Sequence, residues 1–443
     1  MAGTVLVNAS VPSTTPQVRN DPNTYVVVFN DEPNMASAFN DQVTNFVSEN
    51  NGDVIYRYNT LNGVALKLPD GNADRLKELK NVKYVEKDIT FNVSLNKATG
   101  IMDIPEVWDQ GYTGKGVKVA IIDTGIDASH PDLKGRVVQW KDFVNNKEAP
   151  YDDFGHGTHC AGIIGGTGAS SKGKYMGVAP DVQFIGIKVL GKDGSGGLSA
   201  ILQGIEYAAN SDAKIISMSL GSNEHSQAVE DLVSKAVKKG KIVVCAAGNS
   251  GPGTETIGCP SDNPDVITVG ATDKTDMIAS FSSRGPTKNG IVKPDVCAPG
   301  KDIISCRATG IMDNKAIDKY YLKMSGTSMA CPMVSGSVAL LVQKDPKLTP
   351  QDAKKIMEKS SKQEGKKCPN NDYGFGRVNV NSAIDYMNGK YTPTPTPARP
   401  PAATPAPSYP AYPQPGYGYP YPSYPYPSYP YPGYIQYPGY SEE

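Results

Sequence analysis

VKVAIID, residues 117–123, is an apolar run of strand length that stops on a carboxylate. Four similar runs follow it: VQFIGIKVL (182–190), KIISMSL (214–220), KIVVCAAG (241–248) and VITVGA (266–271). Helical patterns lie between them, LSAILQGIEYAANS (198–211) and QAVEDLVSKAVKKG (227–240). Near-continuous apolar strands alternating with helices predict a parallel sheet covered on both faces, so the fold class is α/β. Sites in such sheets lie outside the carboxyl ends of the strands. Asp123 ends one run and Asn249 follows another, which puts both on the same expected edge.

A different pattern precedes this region. TYVVVFN (24–30) reads as a strand and residues 35–50 as an amphipathic helix. DVIYRYNTLNGVALKLP (53–69) reads as a strand pair, GNADRLKELKNV (71–82) as a helix and VKYVEKDITFNV (82–93) as a strand. The order β-α-β-β-α-β predicts a small α+β domain of ferredoxin-like type. The chain therefore divides into a polar lead at 1–23, this small domain at 24–95, the α/β region at 96–390 and a tail at 391–443. The tail holds 13 of the 25 Tyr and 17 of the 36 Pro. Proline at that density blocks helices and sheet ladders, so an extended or disordered segment is expected there.

The formal net charge is −1, which excludes nucleic-acid binding that rests on overall basic charge. No apolar run approaches the ~18 residues that cross a bilayer. Seven cysteines are present. Cys160, Cys245, Cys297 and Cys331 sit among apolar or small residues and read as buried. Cys259 and Cys368 each precede a proline and are the expected disulfide candidates.

Three Gly-rich segments each hold one reactive side chain: IIDTGID with Asp123, FGHGTHCAG with His156 and SGTSMACP with Ser328. A serine hydroxyl is a weak nucleophile until an imidazole takes its proton and a carboxylate orients that imidazole. Ser328 opens an apolar helix, so its own N–H lies at the helix's positive end, beside a developing oxyanion. Asn249, in AAGNSG, offers a second donor through its amide.

With these segments the sequence resembles the subtilisin-like serine proteases over roughly 97–387, and residues 24–94 resemble the inhibitory propeptide of that family. The resemblance implies a secreted, self-processing zymogen that hydrolyses peptide bonds. It implies Asp123 as orienting acid, His156 as general base, Ser328 as nucleophile and Asn249 in the oxyanion hole. His159 matches a second histidine of the motif, with a supporting role. Ser219, Leu220 and Gly221 would line the pocket for the residue before the scissile bond, with Gly258 as its floor. None of these is charged, so an apolar or aromatic side chain is expected there. Asp152 and Asp153 are candidates for attracting a basic residue one position further back. Cleavage of the propeptide is expected between Phe91 and Asn96.

The sequence also departs from the family pattern. Met333 stands where many relatives carry His, and Cys331 where Ala, Thr or Ser is usual. Cys160 and Cys331 are expected near the catalytic site, which would make activity thiol-sensitive. The family's calcium loop usually holds an Asn that GGTGASSKGKYMG (165–177) lacks. No cofactor is needed for the chemistry. Structural calcium is compatible with Asp132 and Asp273 as candidate ligands. The expected partners are protein substrates and the chain's own propeptide, with the tail against cell wall or surface material. A catalytically dead scaffold is the competing class, and the intact Asp123, His156 and Ser328 set speaks against it.

Overall fold

The computed structural model describes residues 23–30, 43, 45–58, 60–69, 73–79, 82–87, 90–92, 101–365 and 367–391. The expectations for 1–22, for the cleavage segment 93–96 and for 392–443 lie outside them. Among the described residues no helix is long and apolar enough to cross a membrane.

The N-terminal unit forms a four-stranded sheet from β1 (Thr24–Phe29), β2 (Asp53–Tyr58), β3 (Gly63–Lys67) and β4 (Val82–Lys87), in the order β2-β3-β1-β4. All three pairings are antiparallel. That is the strand order of the ferredoxin-like expectation. Every residue of β1 is buried, although side chains alternate along a strand. The reason is that both faces are covered. Tyr25, Val27 and Phe29 pack with Val43, Phe46, Val47 and Leu76 of their own unit. Val26 and Val28 join a core built by the helices Leu198–Asn210 and Gln227–Lys238 of the larger region.

Polar contacts reinforce this seam. The Glu86 carboxylate accepts from the Ser226 hydroxyl (2.6 Å), the Ala228 N–H (3.1 Å) and the Gln227 N–H, so it caps the second of those helices. A carboxylate at a helix N-terminus is favourable by about 0.3–1 kcal/mol, more when partly buried. The buried Glu206 accepts from the Thr60 N–H at 2.5 Å, and the Tyr84 hydroxyl donates to Asp231 at 2.9 Å. A short strand β5 (Thr90–Asn92) then leaves the unit and pairs antiparallel with β9 (Ser195–Gly197), Phe91 opposite Gly196.

The larger sheet has seven strands. They are β6 (Lys118–Asp123), β7 (Val137–Asp142), β8 (Gln183–Lys188), β10 (Ile215–Met218), β11 (Ile242–Ala246), β12 (Ile267–Thr272) and β13 (Val296–Pro299). Their order is β13-β12-β11-β10-β6-β8-β7, and every pairing is parallel. The chain winds from β6 to one side through β7 and β8, then returns to the other side through β10. The strand order thus reverses beside β6, where a crevice opens at the carboxyl ends. A hairpin of β14 (Ile303–Cys306) and β15 (Tyr321–Met324) lies outside the sheet.

Two helices cover the sheet face opposite the N-terminal unit. His156–Gly165 is buried at all ten residues, and Thr327–Lys344 at nearly all of its length. A helix that is small and apolar all round belongs in the interior of a large protein. Both carry site residues at their first turn, so the core holds the reactive groups in place.

Candidate active site

Asp123 is the last residue of β6, His156 the first of its helix and Ser328 the second of its own. His156 Nδ1 lies 2.8 Å from Asp123 Oδ1, with both side chains almost fully buried. An ionised carboxylate only accepts, so Nδ1 carries the proton and Nε2 presents its lone pair. Asp123 Oδ1 also accepts from the Thr124 N–H at 2.7 Å. Gly157 makes the close approach feasible: a Cβ there would stand 2.1 Å from the Gly125 carbonyl oxygen and 3.1 Å from Asp123 Cβ. This is the physical content of the His-Gly pair in FGHGTH.

Ser328 is buried, and the Cys160 side chain lies between its carbonyl and this pair. The Ser328 hydroxyl donates to the Ser219 carbonyl at 3.0 Å, and His156 Nε2 has no hydrogen-bond partner among the described residues. The Ser–His bond is therefore not made in this state. Rotating the serine χ1 from one staggered well to the next swings Oγ to another side of Cβ, and such bonds often tighten only with substrate bound. The Cys160 sulfur touches both partners, lying 3.8 Å from His156 Nδ1 and 3.5 Å from the Ser328 carbonyl.

A cleft of about 370 Å³ opens next to Ser328. Its walls include Ser219, Leu220, Gly221, Asn249 and Gly258. Gly258 packs directly on the backbone of Ser222, where a Cβ would meet the carbonyl oxygen at 2.3 Å. Asn249 Oδ1 accepts from the Thr327 N–H at 2.9 Å. That bond fixes the amide, so Nδ2 is the group left to donate. Glu224 also lines the cleft. It is exposed and charged, and the sequence reading missed it because no local pattern distinguishes it from loop charge.

Several expectations are corrected. Asp152 and Asp153 are both engaged within the protein. Asp152 is buried and accepts from Thr124 Oγ1, Phe154 N, Gly155 N, Thr158 N and Thr158 Oγ1, which anchors the turn before His156. Asp153 pairs with Lys188 at 2.6 Å. No disulfide joins Cys259 to Cys368, and all seven cysteines are thiols. Cys160 and Cys331 do lie close to the site. Burial pushes the Cys160 thiol well up and Cys331 up to about 11, so neither is a ready thiolate at neutral pH.

The candidate calcium ligands also have other work. Asp132 accepts from the Ser170 N–H (3.0 Å) and the Tyr321 hydroxyl (2.7 Å), beside the His130 ring and the Cys306 thiol. Calcium takes six to eight oxygens, and a neighbouring imidazole and thiol do not fit it. The His130 ring is itself engaged, with Nε2 2.8 Å from the Tyr320 carbonyl and Nδ1 accepting from the Asp132 N–H. Asp273 accepts from Thr275 and Met277 within its own turn. The groups around Asp132 do not fit a calcium ion.

His159 is fully buried one turn after His156. Burial first, then the charge of His156, lowers it to about 3 from the usual 6.5. Between those values the unfolded chain binds a proton that the native state refuses, so stability falls as pH drops from 6.5 toward 3. The full difference is about 4–5 kcal/mol. His159→Gln, made in a Ser328→Ala background to prevent autolysis, should flatten that slope in denaturant titrations across pH 4–6. An unchanged slope would show that His159 is not the group responsible.

Comparison with known proteins agrees with this geometry. The Subtilase family profile matches residues 114–376, and the Peptidase inhibitor I9 profile matches 24–94. The chain is 42% identical over 358 residues to serine protease AprX of Bacillus subtilis, covering 74% of this chain and 80% of AprX. It is 37% identical over 365 residues to subtilisin E of the same organism, covering 81% and 90%. It is 39% identical over 273 residues to that organism's major intracellular serine protease, covering 60% and 80%. The chain belongs to the subtilase family, as a serine endopeptidase zymogen that carries its I9 inhibitor domain at the N-terminal side.

Proposed function

We propose that Ser328 is the nucleophile of this endopeptidase, His156 its general base and acid, and Asp123 the carboxylate that orients the imidazole. The observation that carries the reading is the buried 2.8 Å Asp123–His156 bond, which leaves Nε2 as a proton acceptor, with Cys160 Sγ in contact with both His156 and the Ser328 carbonyl. Oγ attacks the scissile carbonyl while its proton passes to Nε2. The new oxyanion is held by the Asn249 amide and the Ser328 N–H, where each donor is worth a factor of about 10²–10³ in rate. His156 then protonates the departing amine, and water repeats the sequence on the acyl-enzyme.

The cleft supports a preference for an apolar or aromatic residue before the scissile bond. Leu220, Ala246, Ala247 and the Ser219–Gly221 and Gly258 backbones supply its walls, with the charge of Glu224 confined to an exposed position. Incubating the processed enzyme with a mixed peptide library tests this. Mass spectrometry should find most cleavages after Leu, Phe, Tyr or Met. A majority after Lys or Arg would give the specificity to Glu224 and sink the apolar reading.

The β5–β9 ladder supports self-processing. It holds Thr90–Asn92 as a substrate-like strand against Ser195–Gly197, and the scissile bond is read as lying between Phe91 and Asn96. Asp132 and Asp273 are not read as calcium ligands, and the chemistry needs no cofactor. The reading extends to an exported enzyme, on the strength of the complete inhibitor domain, with the Tyr/Pro-rich segment 391–443 in contact with cell wall or surface material through its aromatic rings.

A further inference from the structure

Lys188 is among the largest fully buried side chains of the protein. Its ammonium has three protons, and each goes to a different segment. The acceptors are the Thr124 carbonyl (2.6 Å), the Asp153 carboxylate (2.6 Å) and the Leu190 carbonyl (2.7 Å). The Tyr151 ring lies over it, 5.1 Å from Nζ to the centroid.

Those three segments meet in the active site. Thr124 follows Asp123, binds its carboxylate through the backbone N–H, and accepts from the Gly157 N–H at 2.9 Å. Asp153 belongs to the loop that delivers His156. Leu190 opens the turn that leads into β9, the strand paired with β5, and its N–H and that of Val189 donate to the Asp123 carbonyl. In the β6–β8 ladder Lys188 lies directly opposite Asp123. A buried charge is expensive, and an apolar side chain of equal volume would often stabilise the fold as well or better. Its presence here calls for a role that a methionine could not fill.

We propose that Lys188 is a positioning residue that joins the substrate-binding edge to the Asp123–His156 pair and keeps the imidazole in its proton-accepting form. The inference rests on the reading of that pair given above. The charge argument is local. His156 faces Asp123, with Asp152 behind the same turn, the Cys160 thiol at 3.8 Å and His159 one turn on. Asp127 lies on the segment after β6, bound to Ser129 and Thr309. Burial keeps Cys160 and His159 uncharged near neutral pH, and the Tyr151 phenol is likewise pushed up. Lys188 is therefore a buried cation among these carboxylates, paired with Asp153 and opposite Asp123 in the ladder. It opposes their pull on a proton at His156.

The test is the pH profile of kcat/KM for a short peptide, measured on the processed enzyme. Lys188→Met removes the cation and leaves Asp153 unpaired, so the acid limb should move up by about 0.5–1 pH unit. Asp153→Asn leaves the cation unpaired, so the limb should move down, by less because Asp153 is partly exposed. Lys188→Met should also raise KM for peptides long enough to pair with β9, and Lys188→Arg should restore part of both effects. Opposite shifts cannot come from general loosening of the fold. Shifts of the same sign, or none in variants with native circular dichroism, would overturn the proposal. If Lys188→Met does not fold, Asp153→Asn decides alone: a downward shift supports the proposal, and no shift overturns it. Asp123→Asn separates the two levels. Full activity in that variant would sink the Asp–His reading itself, whereas a large loss there with an unmoved Lys188 profile would sink only this inference.

Discussion

Ser328→Ala should accumulate as the uncut 443-residue chain, with peptide hydrolysis reduced by on the order of 10⁶-fold. The alanine removes one oxygen from a buried position at the start of a helix that is itself buried. Its lost hydrogen bond to the Ser219 carbonyl is a net effect of about 1 kcal/mol, too small to unfold the protein. The folded variant would retain its inhibitor domain, because the seam built by Glu86, Glu206, Tyr84 and the β5–β9 ladder does not involve Ser328. Gel electrophoresis of the purified protein reads the outcome directly. A variant that still releases its N-terminal unit at the normal rate would mean that another protease, or another residue, performs the cut.

Asp123→Asn should lower kcat by about 10⁴-fold with little change in KM. The side chain keeps its shape, and Gly157 still allows the close approach. What changes is the proton inventory. An ionised Asp123 can only accept, which forces the His156 proton onto Nδ1. An asparagine amide that turns its NH₂ toward Nδ1 reverses that requirement, placing the proton on Nε2 and removing the base from the serine. Because both groups are buried, water cannot easily substitute as the orienting partner. Steady-state kinetics with an ester and an amide substrate check this. A loss below tenfold would mean that the carboxylate does not set the tautomer.

Much of this arrangement was legible in the sequence, for physical reasons. Parallel strands buried on both faces must be apolar throughout, so β6, β8, β10, β11 and β12 stood out as runs. The ends of those runs place Asp123 and Asn249 at one edge. β7 and β13 did not stand out. β7 is an edge strand whose residues VVQWKD are half exposed, and β13 reads PDVCAPG, which turn residues disguise as a loop. The reactive residues were legible because glycines surround them, and Gly157 and Gly258 stand where a Cβ would strike backbone. The roles of Asp152, Asp153 and Lys188 were not. A carboxylate in a polar loop looks like solvated charge until its partners are known, and those partners come from segments far apart in the chain. The disulfide expectation for Cys259 and Cys368 failed for the same reason: proximity to proline says nothing about which thiols meet. Glu86 escaped notice because its capping role depends on a helix 141 residues away.

The central claim is that Ser328, which donates to Ser219 in this state, turns to His156 and reacts. Treating the processed enzyme with a fluorophosphonate and digesting it tests that claim most directly. The account predicts a single phosphonyl adduct on the peptide containing Ser328, formed rapidly at neutral pH and suppressed in His156→Ala from which the inhibitor domain has been removed by added active enzyme. An adduct on any other residue, or equal labelling of Ser328 without the imidazole, would contradict it.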